Sequence, residues 1–169
     1  ILLIMIFQKN QTKKIYEYYK INGFVIIKNF FDKDLINKIK KQVLKNIKHK
    51  HNEFFYYEKN KNKLRRVEKI SDFSNSAKKL IQSKQIFKLI DNIQKSKNAL
   101  FKDKLNFKYP NGGGYLPHID GHFYWISKNN KIEKGWKKYS NKFLNLVIPL
   151  EASNKSNGCL YVAKKDDTK

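Results

Sequence analysis

At 169 residues the chain is long enough to bury the core of one domain, and its formal charge of +23 excludes an acidic surface. A single cysteine, Cys159, excludes an intrachain disulfide and a thiolate metal cluster, and fits a reducing cytoplasm. The basic residues are nearly all lysine, with Arg65 and Arg66 the only arginines, and they are spread along the chain. Together with abundant Asn, Ile, Phe and Tyr this is the composition of A/T-rich codons. Nucleic-acid sites favour arginine and a localised stripe, so no specific nucleic-acid partner is expected.

The opening ILLIMIF is apolar but far too short to span a bilayer, and it lacks the flanks of a secretory signal; no membrane partner is expected. Because the chain does not start with Met and stops just after an apolar run, both ends are expected to be cuts. Residues 13–20 predict a short helix, Asn22-Gly23 a turn and 24–28 a strand. Asp32 is placed as an N-cap, and Leu35, Ile36, Ile39, Val43, Leu44 and Ile47 recur at helical spacing, predicting a helix over 33–48. Residues 49–63 are polar, aromatic and without period, 64–70 predict a strand, and 76–82 a helical turn. Ser83 caps a second clear helix carrying Ile86, Phe87, Ile90 and Ile93.

Residues 99–109 then alternate as a strand, with Leu105, Phe107 and Tyr109 on one side and Lys104, Asn106 and Lys108 on the other. Gly112, Gly113 and Gly114 turn the chain into a second strand over 115–123. Residues 126–142 are expected to loop over a site, 143–150 and 159–163 to be strands, and 151–158 a turn. Helices first and strands after predict one α+β domain over 1–169, helical over about 11–95, with a sandwich or barrel over about 99–169.

The chemistry centres on His118 and Asp120. In an extended segment residues i and i+2 point to one face, so an imidazole and a carboxylate converge. That is two-thirds of the facial triad of two histidines and one carboxylate that holds Fe(II) and leaves three positions open. The same His-x-acid pattern occurs at His51-Asn52-Glu53, but after a Lys-rich helix with no strand and no glycine turn, so that copy is assigned to solvated surface. His122 shares the parity of His118 and Asp120 and is a candidate for the pocket mouth or substrate contact. Tyr109, Tyr124, Trp125 and Trp136 are candidates for the pocket wall, with plain core as the alternative. Arg65, Arg66 and Glu68 either reach the rim or form a surface ion pair. Cys159 is expected to be a small buried hydrophobe.

The order of parts resembles the phytanoyl-CoA dioxygenase family of Fe(II)- and 2-oxoglutarate-dependent oxygenases, from about Ile15 to Ala163. The resemblance is carried by the opening helix with Asn22-Gly23-Phe24-Val25-Ile26-Ile27, by Lys108-Tyr109-Pro110 with the glycine turn and Pro117-His118-Ile119-Asp120, and by Asn157-Gly158-Cys159-Leu160. Ile119 departs from the family's usual Gln, and Lys164-Lys165-Asp166-Asp167 departs from its Pro-Gly-Ser-His-like segment. The resemblance implies a double-stranded β-helix (a cupin-like jelly roll) with iron at one end, 2-oxoglutarate as co-substrate, dioxygen, and a small organic or acyl substrate that is hydroxylated with release of succinate and CO2. It implies His118 and Asp120 as metal ligands, and Lys108, with Lys104 on the same face, as the cation that meets or steadies the 2-oxoglutarate carboxylates. The second metal histidine and the 2-oxoglutarate arginine are expected beyond Lys169, so the 169 residues alone are expected to bind iron weakly. Two other readings remain open: a jelly-roll binding module without catalysis, and a basic nucleic-acid-binding protein.

Overall fold

The computed structural model describes residues 5–47, 53–59, 63–121 and 123–165. They form two compact units. One runs to Gly112 and resumes at Pro149; the other is Gly113–Ile148.

In the first unit, strand β1 (Ile6–Phe7) pairs in parallel with β2 (Ile26–Ile27), so part of the apolar N-terminal run is a strand. Helix α1 (Thr12–Asn22) lies between them and ends where Gly23, at φ 79°, donates its N–H to the Tyr19 carbonyl at 2.8 Å. Only a residue without a Cβ adopts that left-handed conformation freely. Helix α2 (Lys33–Ile47) is capped by Asp32, whose Oδ1 accepts the N–H of Asp34 at 2.8 Å and of Leu35 at 3.3 Å. Its buried stripe is Ile39, Val43 and Ile47, while Leu35, expected on that stripe, is exposed at the first turn.

Strands β3 (Phe55–Tyr57), β4 (Leu64–Glu68) and β5 (Lys104–Asn106) make an antiparallel sheet in that order. The aromatic stretch at 55–57 lacked a readable period because it is only three residues long and shifts register between Tyr56 and Tyr57. Phe55, Val67 and Leu105 stand in one row, and Phe55 and Val67 are buried; Tyr56, Arg66 and Asn106 form the next row, on the other face.

Three helices lie between β4 and β5: α3 (Ile70–Phe73), α4 (Asn75–Ile81) and α5 (Lys84–Gln94). Buried Ser74 caps α4 by accepting the Ala77 N–H, and Ser83 caps α5 by accepting that of Ile86. The α5 stripe is Ile86, Leu89 and Ile93, with Phe87 and Ile90 half-buried beside it. α1 packs on α5 and α2 on α4, around Ile15, Val43 and Val67, each 2% exposed or less.

Beyond α5, Asp91 ties down the chain by accepting from the Asn98 backbone and side-chain N–H groups, both at 3.0 Å. The resumed segment adds a turn knitted by two asparagines. Asn157 accepts the Asn154 N–H at 2.7 Å and donates to the Ala152 carbonyl at 2.7 Å; Gly158 follows at φ 79°. Those bonds are the local reason for the Asn-Gly pair.

The second unit is built on a hairpin of β6 (Tyr124–Ile126) and β7 (Ile132–Lys134), which replaces the expected loop over 126–142. Ser127 closes it, exchanging backbone and side-chain bonds with Lys131 around Asn130 at φ 55°.

The expected strands at 115–123, 143–150 and 159–163 are not formed by the described residues. A strand exists only where a ladder partner exists. Over 115–123, Pro117 removes a donor and Gly121, at φ 85°, turns the chain. In the other two segments Leu146, Val147, Leu160, Tyr161 and Val162 are all exposed. The described residues form sheets of two, three and two strands with five helices, an α+β arrangement that does not by itself close into a double-stranded β-helix. Among the described residues no helix is long and apolar enough to cross a membrane.

Two outcomes follow from this packing. Ile15→Ala removes the fully buried side chain between α1 and its neighbours and should lower unfolding stability in urea by about 2–5 kcal/mol. The Asn98 amide, with Lys97 beside it, holds the Asp91 carboxyl below its usual range. A lowered folded value contributes stability above the unfolded carboxylate range that is lost as pH falls through the folded value. Asp91→Asn should therefore flatten the acid side of the stability–pH curve; an unchanged acid limb would refute the coupling.

Candidate metal site

The site is built on the segment from Pro117 to Gly121, in the second unit. His118 Nδ1 lies 2.7 Å from the Leu116 carbonyl oxygen. A carbonyl only accepts, so Nδ1 carries the proton and donates it. In the neutral ring that leaves Nε2 with its lone pair outward, and Nε2 faces Asp120 Oδ1 at 3.5 Å. The other carboxylate oxygen, Oδ2, accepts a hydrogen bond from the Asn145 side-chain amide. The i, i+2 convergence is thus present, although the segment is extended chain entering a turn and has no ladder.

At this distance the two groups either form a direct ion pair, with Nε2 protonated, or hold a cation between them, with Nε2 bare. Two donor atoms about 2.1 Å from one ion and adjacent on an octahedron are about 3 Å apart. The observed 3.5 Å is within a small side-chain rotation of that spacing. Both groups are accessible, at 58% and 37% side-chain exposure, so neither is sealed from an incoming ion. Imidazole nitrogen plus carboxylate oxygen is a donor pair that suits Fe(II). Among the described residues no group of three or more His, Cys, Asp or Glu is placed to hold a metal.

What fixes the carboxylate is the turn behind it. Gly135, buried at φ 53°, donates its N–H to the Phe123 carbonyl at 2.7 Å and accepts at its own carbonyl from Trp125 Nε1 at 2.9 Å. A Cβ on Gly135 would lie 1.9 Å from the Gly121 carbonyl oxygen. The hairpin end therefore sits directly on the backbone that follows Asp120. Trp136 backs the same turn, edge-on to Phe123 at 5.7 Å and to Phe143 at 5.3 Å between ring centres.

Of the candidate wall residues in this unit, Trp125 is half-buried and spent on the Gly135 carbonyl. Tyr124 is exposed on the hairpin opposite Lys134, whose ammonium lies 5.8 Å from its ring centre. His122 lies outside the described residues, as does His51 of the second His-x-acid pattern. Lys104, Lys108 and Tyr109 belong to the other unit. Lys104 stands opposite Glu68 in the sheet register, and the Lys108 stem runs along Gly158, 3.6 Å from where a Cβ would be. Tyr109 stacks on Phe107 at 6.1 Å.

Arg66 is ion-paired with Glu68 at 3.2 Å and lies over the Tyr56 ring at 4.3 Å; Arg65 reaches Glu58 at 3.8 Å. Cys159 is half-exposed, not buried, because the segment around it has no strand partner. Burial raises the Tyr19 phenol above its usual value, in the first unit. Sequence reasoning missed Asn145. The available signal was one amide inside the apolar run Phe143-Leu144-Asn145-Leu146-Val147.

The structure thus places one histidine and one carboxylate side by side next to a glycine turn, in a chain of helices and small sheets. The chain belongs to the phytanoyl-CoA dioxygenase family, which matches residues 19–168 and has a cupin-like fold. It is similar to a 2-aminoethylphosphonate dioxygenase of an uncultured bacterium (HF130_AEPn_1), 28% identical over 153 residues, covering 86% of this chain and 54% of that protein. A methylphosphonate hydroxylase of Gimesia maris is 34% identical over 62 residues, 37% of this chain and 19% of that one. A protein named dioxygenase lolE1 from Epichloe uncinata is 26% identical over 107 residues, 62% and 37% of the two chains. The chain spans about half the length, or less, of these curated relatives.

The close approach of the two glycine backbones gives a direct test. Gly135→Ala should destabilise the second unit by about 2 kcal/mol or more, since neither the clash nor the positive φ can be relieved locally. Near-UV circular dichroism from Trp125 and Trp136 should report the loss; an unaltered tryptophan signal and melting curve would contradict the packing.

Proposed function

We propose that this chain supplies the first two metal ligands, His118 and Asp120, of an Fe(II)- and 2-oxoglutarate-dependent dioxygenase that hydroxylates a small organic substrate. The observation that carries the reading is the outward Nε2 of His118 facing Asp120 Oδ1 at 3.5 Å, with Nδ1 already committed to the Leu116 carbonyl. Family membership and three relatives named as dioxygenases or a hydroxylase support it. Bound iron would supply dioxygen activation coupled to decarboxylation of 2-oxoglutarate, giving succinate, CO2 and a hydroxylated product.

The residues of this chain bind and orient. The Leu116 carbonyl sets the imidazole tautomer, and Asn145 holds the carboxylate rotamer. The hairpin, through Gly135 and Trp136, fixes the turn at Gly121. Lys108, with Lys104 at the start of β5 four residues earlier, is the proposed partner for 2-oxoglutarate carboxylate. His122 is the proposed contact at the pocket mouth or with substrate, and Tyr109, Tyr124 and Trp125 are the proposed wall residues. The second histidine and an arginine are to be sought in the remainder of the full-length protein.

In this reading residues 1–169 belong to one domain. The exposed apolar side chains of 143–150 and 159–163 are strand faces of a double-stranded β-helix that find partners in the complete protein. A reducing cytoplasm suits both Fe(II) and the lone Cys159.

Two relatives carry phosphonate substrates in their names, and a surface of net charge +23 attracts anions, so an organophosphonate is the substrate class to try first. With the full-length protein, Fe(II) and oxygen, 2-oxoglutarate should give succinate, faster with 2-aminoethylphosphonate or methylphosphonate. His118→Ala and Asp120→Ala should each reduce the rate by at least about 100-fold, since a lost ligand removes the metal and not a single hydrogen bond. Absence of both succinate and Fe(II) binding would favour a jelly-roll module without catalysis. A preferred nucleic-acid sequence with steep salt dependence would favour the basic-binder reading.

A further inference from the structure

Asn145 is the side chain that the proposed activity does not by itself require. It lies 25 residues from Asp120 in sequence, and its Nδ2 donates to Asp120 Oδ2 while Oδ1 faces His118 Nε2. The two carboxylate oxygens therefore have different partners. One is engaged by a neutral amide donor, and one faces imidazole Nε2.

That asymmetry has a chemical consequence. A free carboxylate binds a cation through one oxygen or through both. With both oxygens on the ion, Asp120 would occupy two coordination positions. Three protein residues would then supply four donor atoms and leave two positions in an octahedron, too few for a chelating 2-oxo acid and dioxygen together. An N–H donor on Oδ2 competes with the ion for that oxygen and fixes the plane of the carboxylate. Only Oδ1 is then presented.

We propose that Asn145 is a positioning residue that keeps Asp120 a one-oxygen ligand, and so preserves the open coordination positions of the site. The inference rests on the metal reading of His118 and Asp120. It goes beyond it in assigning a role to an amide that no ligand motif contains. Ligand-orienting hydrogen bonds of this kind commonly set metal affinity, and removing one typically costs about 10- to 100-fold.

The alternative role for Asn145 is purely structural, tying the segment before Pro149 to the turn at Gly121. The amide alone distinguishes the two. Asn145→Leu keeps the approximate volume and deletes the donor. Asn145→Gln keeps the donor on a longer stem.

The test uses the metal-free full-length protein titrated with Co(II) as the probe, followed by its visible absorption, alongside thermal unfolding without metal. Asn145→Ala and Asn145→Leu should bind Co(II) about 10- to 100-fold more weakly. Their spectra should shift because the carboxylate has become a two-oxygen ligand. Asn145→Gln should recover most of the affinity, and all variants should unfold near the wild-type temperature. Wild-type affinity and spectrum in Asn145→Leu, with binding abolished in His118→Ala, would overturn the role of Asn145 and leave the metal site standing. Affinity lost only in step with a lowered unfolding temperature would assign Asn145 to structure. Unchanged Co(II) binding in His118→Ala and Asp120→Ala would remove the metal reading itself.

Discussion

The contact between Gly135 and Gly121 constrains the second unit at the turn that follows Asp120. Two backbones touch where a methyl group on Gly135 would sit 1.9 Å from a carbonyl oxygen. Approach that close requires glycine on the hairpin side, and it requires the hairpin to end there. Gly135 takes φ 53° to do so, and Gly121 takes φ 85°. Both conformations cost little for glycine and much for other residues. The turn after Asp120 is then held from behind by backbone, with Trp136 beside it. A carboxylate gains precision from a fixed Cα, and the Cα of Asp120 is held by the turn at Gly121. The hairpin anchors that turn.

Parts of this arrangement were legible in the sequence and parts were not. The helices over 33–47 and 84–94 announced themselves through apolar spacing and through Asp32 and Ser83 as caps, because both signals are local. The His118–Asp120 pairing was legible for the same reason: two residues apart, it needs only an extended backbone. The hairpin of Tyr124–Ile126 with Ile132–Lys134 was not. Its strands are three residues long, its outward side chains are apolar, and the turn is made by Ser127 and Asn130 without an Asn-Gly signal. Asn145 was invisible in another way. Its meaning lies in a partner 25 residues away, which spacing rules do not reach.

The strands expected at 143–150 and 159–163 show what a periodic pattern does and does not encode. Alternation states which face of a segment wants to be buried. It does not supply the ladder partner. Here Leu146, Val147, Tyr161 and Val162 are exposed, and Cys159 with them is half-open, although the pattern around them is apolar. By contrast the neighbouring turn at 152–159 is ordered by its own asparagines and needs no partner. Local hydrogen bonding determines the turn, while the flanking apolar runs wait on non-local pairing.

The same distinction bears on how the charge should be weighed. A net charge of +23 raises the local concentration of any anion, whether nucleic acid, phosphonate or 2-oxo acid, and does not choose among them. Selection needs fixed geometry, and most lysines here lie on solvated faces where an ammonium has no fixed position. The Lys108 stem lies beside Gly158, a residue at φ 79° in the asparagine turn. A Cβ at Gly158 would make ordinary van der Waals contact with that stem at 3.6 Å, so it is the positive φ, and not the lysine, that calls for glycine there. The Asn-Gly pair and the Lys108 stem thereby pack against one another.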